Sequence, residues 1–189
     1  MKRITPVFVT LALALVVWSC GGSSTLDNTE ATVYLTVDVS EYNPDVDLCL
    51  QLGDIVIDSM DITSETKDPQ GTTSPSQDVN LNRWVIKPYR TDGGTTASPE
   101  WTYDTQVYVP AGGSASLDNY RVYPFELLGE VPLAYLLSEN GGFDPETGNS
   151  NIRQSFELQI FGQTIAGKSV ATVPVSIGFN FDSDCSGIQ

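Results

Sequence analysis

The sequence predicts an all-β protein built as an antiparallel β-sandwich, and two observations carry that prediction. Apolar residues recur along most of the chain with a period of two, which is the spacing of strands that bury one face, and not with the 3.6-residue period of amphipathic helices. Short segments rich in glycine, proline and small polar residues separate the apolar runs. About 170 of the 189 residues follow the amino-terminal apolar segment, which is enough for one domain with a sizeable core.

About seven to nine short strands are expected between these turn-rich segments. The clearest alternating runs cover residues 33–39, 48–52, 55–57, 103–109, 156–160 and 173–181. The intervening loops include residues 63–80, 91–100 and 138–151. Short strands at this spacing are typical of an immunoglobulin-like or fibronectin-like β-sandwich.

Three local features refine this prediction. The Ala166-Gly167 pair between the last two runs predicts a hairpin turn, because glycine adopts positive φ without strain. Pro174 lies inside the last run and has no N–H to donate, which predicts a sheet edge or a bulge at that point. Residues 131–137 are compatible with either a strand or a short helix.

The amino-terminal segment predicts export from the cytoplasm. Lys2 and Arg3 precede an apolar run over residues 7–18. That run is too short for a comfortable transmembrane helix, which needs roughly 20 apolar residues. It also ends at small residues instead of a basic cluster, as cleaved signal peptides do.

The tetrapeptide Val17-Trp18-Ser19-Cys20 at the end of that run resembles the lipobox of bacterial lipoproteins. The resemblance implies that residues 1–19 are removed and that Cys20 carries acyl chains as the new amino terminus, which anchors the protein to a membrane of the cell envelope. No aspartate follows Cys20, and under the enteric sorting rule this favours the outer membrane. The alternative is an ordinary cleaved signal peptide beside an incidental cysteine.

The lipobox divides the chain into three parts. Residues 1–19 are the signal peptide, residues 20–30 are the lipidated cysteine with a flexible polar tether, and residues 31–189 are the β-sandwich domain. Loss of Lys2 and Arg3 changes the net charge from −15 to −17. This acidity argues against nucleic-acid binding and against docking on anionic lipid head groups. It is compatible with a basic partner or with acidic loops that only maintain solubility.

Two cysteines remain for the folded domain. Cys49 and Cys185 would meet an oxidising compartment after export, and we expect them to form a structural disulfide. A redox pair is disfavoured because the sequence has no CxxC spacing.

The chain contains no histidine, which removes several classes of enzyme from consideration. A Ser-His-Asp triad and a histidine-based zinc or copper site are both excluded. The phosphate-binding motif GxxxxGK[ST] is also absent. A hydrolase that uses only two carboxylates stays open, because 24 acidic residues offer many possible pairs.

One loop carries a candidate calcium site. Asp144, Glu146, Asn149 and Asn151 place four oxygen-bearing side chains in a short glycine-containing segment, and calcium prefers oxygen ligands. The spacing does not match an EF-hand, and an ordinary Pro/Gly turn explains the same residues. No other cofactor is expected.

Trp101 and Tyr103 are candidate binding residues, since they lie where a loop rich in glycine and proline enters a strand. Exposed together, they would stack on a sugar ring or contact a protein. The alternative is that these rings, like Trp84, fill the core of the sandwich.

Together these features predict a membrane-anchored, extracytoplasmic lipoprotein that acts as a non-catalytic binding or structural module of the envelope or of an extracellular assembly. Its expected partners are the membrane, through the lipid, and an envelope or extracellular protein or carbohydrate. The alternative is a carbohydrate-active hydrolase or carbohydrate-binding module that uses paired carboxylates and exposed aromatic rings.

Overall fold

The computed structural model describes residues 30–184. The predicted signal peptide, Cys20 and all but the last residue of the predicted tether lie outside the described residues, as does Cys185. Strands dominate the described part of the chain: β1 (Val33–Tyr42), β2 (Asp45–Asp47), β3 (Ile55–Thr66), β4 (Val79–Arg90), β5 (Trp101–Val109), β6 (Ser114–Tyr123), β7 (Asn151–Thr164), β8 (Ser169–Ala171) and β9 (Val175–Asp182). The helices between them are single 3-10 turns: Pro75–Gln77, Phe125–Gly129, Leu133–Leu136 and Ser138–Asn140.

The strands form two sheets packed face to face. The smaller sheet has the order β1-β3-β6, and the larger has the order β2-β9-β7-β4-β5, with β8 also paired to β7. Neighbouring strands are antiparallel except β2 and β9, which run parallel. The chain passes from the smaller sheet to the larger one between β1 and β2. The predicted all-β sandwich, built mainly of antiparallel strands, is confirmed.

Alternating burial along the strands produces the core between the sheets. In β7 the inward side chains of Phe156, Leu158 and Ile160 are fully buried, while Glu157 between them is exposed. The Phe156 ring packs against Tyr123 from the smaller sheet at a centroid distance of 4.9 Å. Tilted aromatic packing of this kind adds to the hydrophobic stabilisation from burial alone.

The predicted hairpin near the carboxyl end is confirmed. Residues 165–168 connect β7 to β8, and Gly167 has a φ of +77°, which favours glycine. After β8 the chain leaves the ladder, and the Val173 N–H donates to the Leu35 carbonyl of the other sheet at 3.0 Å. Pro174 lies in this interruption between β8 and β9, where no ladder donor is needed, and the predicted last run forms a strand only from Val175 onward.

The prediction of a strand at residues 48–52 is wrong. The strand is β2, three residues earlier, and the N–H groups of Leu50 and Gln51 return to the Asp47 carbonyl at 3.1 and 2.9 Å in a turn. Leu50 is 53% exposed and Leu52 is 93% exposed. Their alternating spacing imitates a strand, but no facing sheet covers them.

Residues 131–137 form a 3-10 turn and not a strand. The turn Leu133–Leu136 buries Leu133 and Leu136, and the preceding turn buries Leu128. The 124–150 connection therefore closes one end of the core with apolar side chains. Between residues 30 and 184, no helix has the length and apolarity that a membrane-spanning helix requires.

The sandwich has two different ends. The chain enters at the proximal end, which consists of residue 31 and the connections 67–78, 110–113 and 165–168. The distal end consists of the connections 43–54, 91–100 and 124–150, and β9 also finishes there. Strand β1 joins the two ends with ten residues, which span about 30 Å at about 3.3 Å per residue.

Candidate functional site

The distal end carries most of the large apolar side chains that the described residues leave exposed. Those at this end are Leu50, Leu52, Phe125, Val131 and Phe143, whereas Tyr89, Tyr108 and Ile165 lie elsewhere. Single exposed apolar residues are common on proteins, but several at one end of a domain indicate a contact surface.

An apolar groove of about 180 Å³ lies within this surface. It is lined by Leu48, Phe125, Glu126, Leu128, Gly129 and Leu137. Asp54 connects its two walls, because its Oδ1 accepts the Phe125 N–H at 2.8 Å. Its Oδ2 lies 2.9 Å from Arg121 Nε. We call this feature the apolar groove.

Carboxylates surround the end of β9 next to the groove. Asp47 lies beside Asp182 in the parallel pairing of β2 with β9, and the Leu48 N–H donates to the Asp182 carbonyl at 2.8 Å. Burial raises the pKa of Asp182, and the like charges of Asp47, Asp184 and Asp45 raise it further. We call these four aspartates the acidic rim. Negative charge therefore accumulates beside Leu48.

A second, polar cavity of about 520 Å³ opens on the other side of the rim. Asp182, Asp184, Asn151 and Asn180 contribute to its lining. Asn151 Nδ2 donates to Asn180 Oδ1 at 2.8 Å, so these two amides are already joined.

Elsewhere at the distal end, opposite charges are paired in the interior. Arg90 Nε and Nη2 each donate to one oxygen of Asp92 at 2.8 Å, and Nη2 also donates to Asp144 Oδ2 at 2.7 Å. The three side chains are 0 to 3% exposed. This Arg90 clamp fastens the 91–100 connection to the 124–150 connection. Such bidentate, charge-assisted bonds are among the strongest that side chains form.

The clamp keeps its carboxylates ionised. Burial alone raises the pKa of Asp92, but hydrogen bonds from Arg90 and from the N–H groups of Arg153 and Gly94 outweigh it and lower the pKa to about 2. Burial alone would also raise the pKa of Asp144, but hydrogen bonds from Arg90 and Thr147 outweigh it and lower this pKa. Both carboxylates are therefore anionic at neutral pH.

The predicted calcium ligands do not converge on one point. Asp144 is bound by Arg90, while the Glu146 carboxylate reaches across to the hydroxyl of Thr96 and the N–H of Thr95. These bonds lower the pKa of Glu146 to about 2, with the Thr96 hydroxyl as the largest contributor.

The two predicted amide ligands also have other roles. Asn149 contributes a backbone carbonyl to the Asp144 N–H at 2.8 Å, and Asn151 bonds Asn180. Among residues 30–184 no group of three or more acidic, cysteine or histidine side chains is placed to hold a metal. The guanidinium of Arg90 occupies the position at Asp144 that the sequence suggests for a cation.

Trp101 and Tyr103 pack together at the open edge between β5 and β6. The Trp101 ring stacks on Tyr103 at 4.3 Å, and the Arg121 guanidinium carbon lies 4.8 Å from the Trp101 centroid. Tyr103 also stacks against the fully buried Trp84 at 5.7 Å. These neighbours compete with any sugar for the ring faces.

The Tyr103 hydroxyl is also committed to the fold. It donates to the Arg121 carbonyl at 2.7 Å, and burial raises the pKa of this phenol. The pair Trp101–Tyr103 therefore joins the edges of the two sheets. Trp84 is a core residue, which agrees with the prediction that large aromatic rings fill the sandwich.

Cys49 lies in the turn after β2, next to the carboxyl end of the described chain. Its Sγ is 3.2 Å from Ser183 Oγ, and its N–H donates to Asp47 Oδ1 at 2.9 Å. Ser183 precedes Cys185 by two residues, so the approach is compatible with the expected disulfide, which stays a prediction.

Sequence reasoning missed the Arg90 clamp and the apolar groove. A lone arginine at a strand end gives no signal of burial, and its two aspartates are far apart in sequence. The leucines of the 48–52 segment, of which Leu48 lines the groove, did give a signal, but their alternating pattern favoured a strand.

Comparisons with known proteins add little to this geometry. No protein-family model and no curated protein matches the chain. Among solved structures, it has a likeness to a β-glucosidase from Kluyveromyces marxianus, with 9% identity and a TM-score of 0.28. The match covers 79% of this chain and 15% of the enzyme. At this TM-score, the likeness carries no argument about function.

Proposed function

We propose that the protein is a lipid-anchored, extracytoplasmic module of the cell envelope that works by binding and not by catalysis. The observation that supports this most is the opposition of the two ends. The chain enters the sandwich at the proximal end, whereas the exposed apolar side chains and the long connections lie at the distal end. A module held at one end presents its other end to partners.

In this proposal the acyl chains on Cys20 hold the proximal end near the outer membrane. A coil of about ten residues, the tether, has an end-to-end distance of about 17 Å. The sandwich adds about 30 Å, so the distal end stands well clear of the lipid head groups.

The second candidate is a carbohydrate-active hydrolase, and it is supported by one feature. Asp182 borders the polar cavity beside Asp47, and its raised pKa is the property that a general acid requires. Release of reducing sugar from envelope polysaccharide, lost in Asp182→Asn, would favour this candidate over binding.

The anchoring part of the proposal is tested with Cys20→Ala. This variant should move from the outer-membrane fraction to the soluble fraction, because it has no thiol to acylate. Fractionation followed by immunoblotting measures the distribution, and mass spectrometry of the mature amino terminus measures the acyl mass. Ser23→Ala in the same segment is the matched control and should stay with the membrane. A Cys20→Ala protein that remains membrane-bound would refute lipid anchoring.

A further inference from the structure

We propose that the apolar groove is a docking site for a cationic protein segment. An apolar side chain of that segment fills the groove, and its lysine or arginine side chains meet the neighbouring carboxylates. This inference rests on the proposed binding function and names the partner class for it.

The groove offers an anchoring point of the kind found at protein interfaces. Leu48 is half-buried and Phe125 is 46% exposed, so both side chains present apolar surface to solvent. Leu50 and Leu52 extend the apolar surface beyond the groove. Binding energy at interfaces concentrates where one side chain enters a small pocket surrounded by polar groups.

The walls of the groove are held in place before any partner arrives. Asp54 bonds the Phe125 N–H, and Asp47 bonds the Cys49 N–H. Because these two carboxylates fix the backbone on both sides, less conformational freedom is lost when a ligand binds.

The charge around the groove selects a positive partner. Glu126 contributes to the lining itself, and the acidic rim adjoins Leu48 through the pairing of β2 with β9. Complementary charge speeds encounter and disfavours partners of the same sign. A second copy of this chain, with the same negative groove, would be repelled.

Two arginines at the distal end are engaged by other groups. Arg90 is buried in its clamp, and Arg121 is shared between Asp54 and the Trp101 ring. Arg153 is exposed on the outward face of β7 and is in register with Asn180 and Asp45, so it is one cation on the face that also carries Asp45, Asp47 and Asp182. On this face the three carboxylates of Asp45, Asp47 and Asp182 outnumber the one arginine, so the charge presented to a ligand is negative.

The test uses two synthetic hexapeptides and the full-length protein in non-ionic detergent. One peptide has the sequence Lys-Lys-Leu-Phe-Lys-Lys, and the other replaces every lysine by glutamate. Fluorescence anisotropy of labelled peptide measures the Kd. We expect the lysine peptide to bind at least tenfold tighter than the glutamate peptide, with an affinity that falls as salt is added.

Surface variants locate the binding. Phe125→Ser and Glu126→Lys should each weaken binding of the lysine peptide at least tenfold. Ile165→Ser is the matched control, because Ile165 is 56% exposed at the proximal end, and it should leave the Kd unchanged. Circular dichroism verifies that each variant is folded.

Four results would overturn the proposal. Three are equal binding of the two peptides, no binding of the lysine peptide at millimolar concentration, and binding that Phe125→Ser leaves intact. Binding that appears only in a chain ending at Cys185 would also overturn it, since the occupant would then be the protein's own carboxyl terminus. If Cys20→Ala still releases the protein from the membrane fraction while any of these results is obtained, the docking site is refuted but the proposal of a lipid-anchored module stands.

Discussion

The Arg90 clamp and the apolar groove lie at the same end of the sandwich but differ in how completely their groups are satisfied. In the clamp, a guanidinium and two carboxylates are buried and bonded to one another. In the groove, Phe125 remains 46% exposed beside carboxylates of one sign. The comparison teaches that charged residues in a distal loop do not by themselves mark a binding site. The surface whose interactions are incomplete is the better candidate.

This comparison assigns different consequences to the two regions. Removal of a clamp residue leaves buried charge without a partner, so it should reduce stability. Removal of a groove residue takes away only surface contacts, so it should reduce binding and leave stability nearly unchanged. Each of the following variants tests one side of that division.

The largest expected effect belongs to Arg90→Gln. Without the guanidinium, Asp92 and Asp144 are buried anions with no countercharge, and breaking such a pair costs about 3–5 kcal/mol. Urea denaturation monitored by circular dichroism measures the loss. Arg153→Gln removes an exposed arginine from the same region and should change stability by about 0.5 kcal/mol or less.

The folded fraction of Arg90→Gln should still bind the lysine hexapeptide with the wild-type Kd. If the Kd rises in step with the loss of stability, the clamp and the groove are one coupled unit, and the division between them is wrong. If Arg90→Gln is as stable as Arg153→Gln, the clamp does not hold the two connections together.

A smaller effect is expected from acid. The pKa of Asp92 is about 2 in the folded chain against 3.8 ordinarily, so the unfolded chain binds the proton more readily. The stabilisation is therefore present above about pH 4 and is lost as the pH falls towards 2, by about 2 kcal/mol for this shift.

The pH effect is measured as the difference between variants, because other carboxylates also titrate. Urea unfolding from pH 7 to pH 2 should fall less steeply for Asp92→Asn than for the wild type. Asp104→Asn, which removes an exposed carboxylate from β5, is the matched control and should follow the wild type. Parallel curves for all three proteins would show that Asp92 is not held ionised by the clamp.

The fold was largely predictable because burial follows the two-residue period wherever a sheet face is covered. Residues 33–39, 103–109 and 156–160 obey this rule, and Pro174 marks its interruption. The period failed at residues 48–52 because alternation records only side-chain spacing. Whether another layer covers Leu50 and Leu52 depends on the 124–150 connection, which is distant in sequence.

The candidate sites were less predictable, since they depend on pairs that are brought together from different connections. The composition of the Asp144 loop suggested a bound cation, and a cation is present there, but it is Arg90 from β4. Trp101 and Tyr103 were recognised as a pair. That this pair joins two sheet edges could not be predicted, because it depends on contacts with Tyr120 and Arg121 of β6.

The smallest expected effect is that of calcium on thermal stability. Calcium requires six to eight oxygen ligands, whereas Asp144 Oδ2 already accepts Arg90 Nη2 and the Thr147 hydroxyl, each at 2.7 Å. Binding there would displace an internal cation, so the Tm should be the same in calcium and in EDTA. A rise in Tm that disappears in Asp144→Asn would contradict this and restore the predicted site. If instead the rise in Tm disappears in Asp182→Asn, the ion is bound at the acidic rim. Cation binding would then be a property of the surface beside the apolar groove and not of the Arg90 clamp.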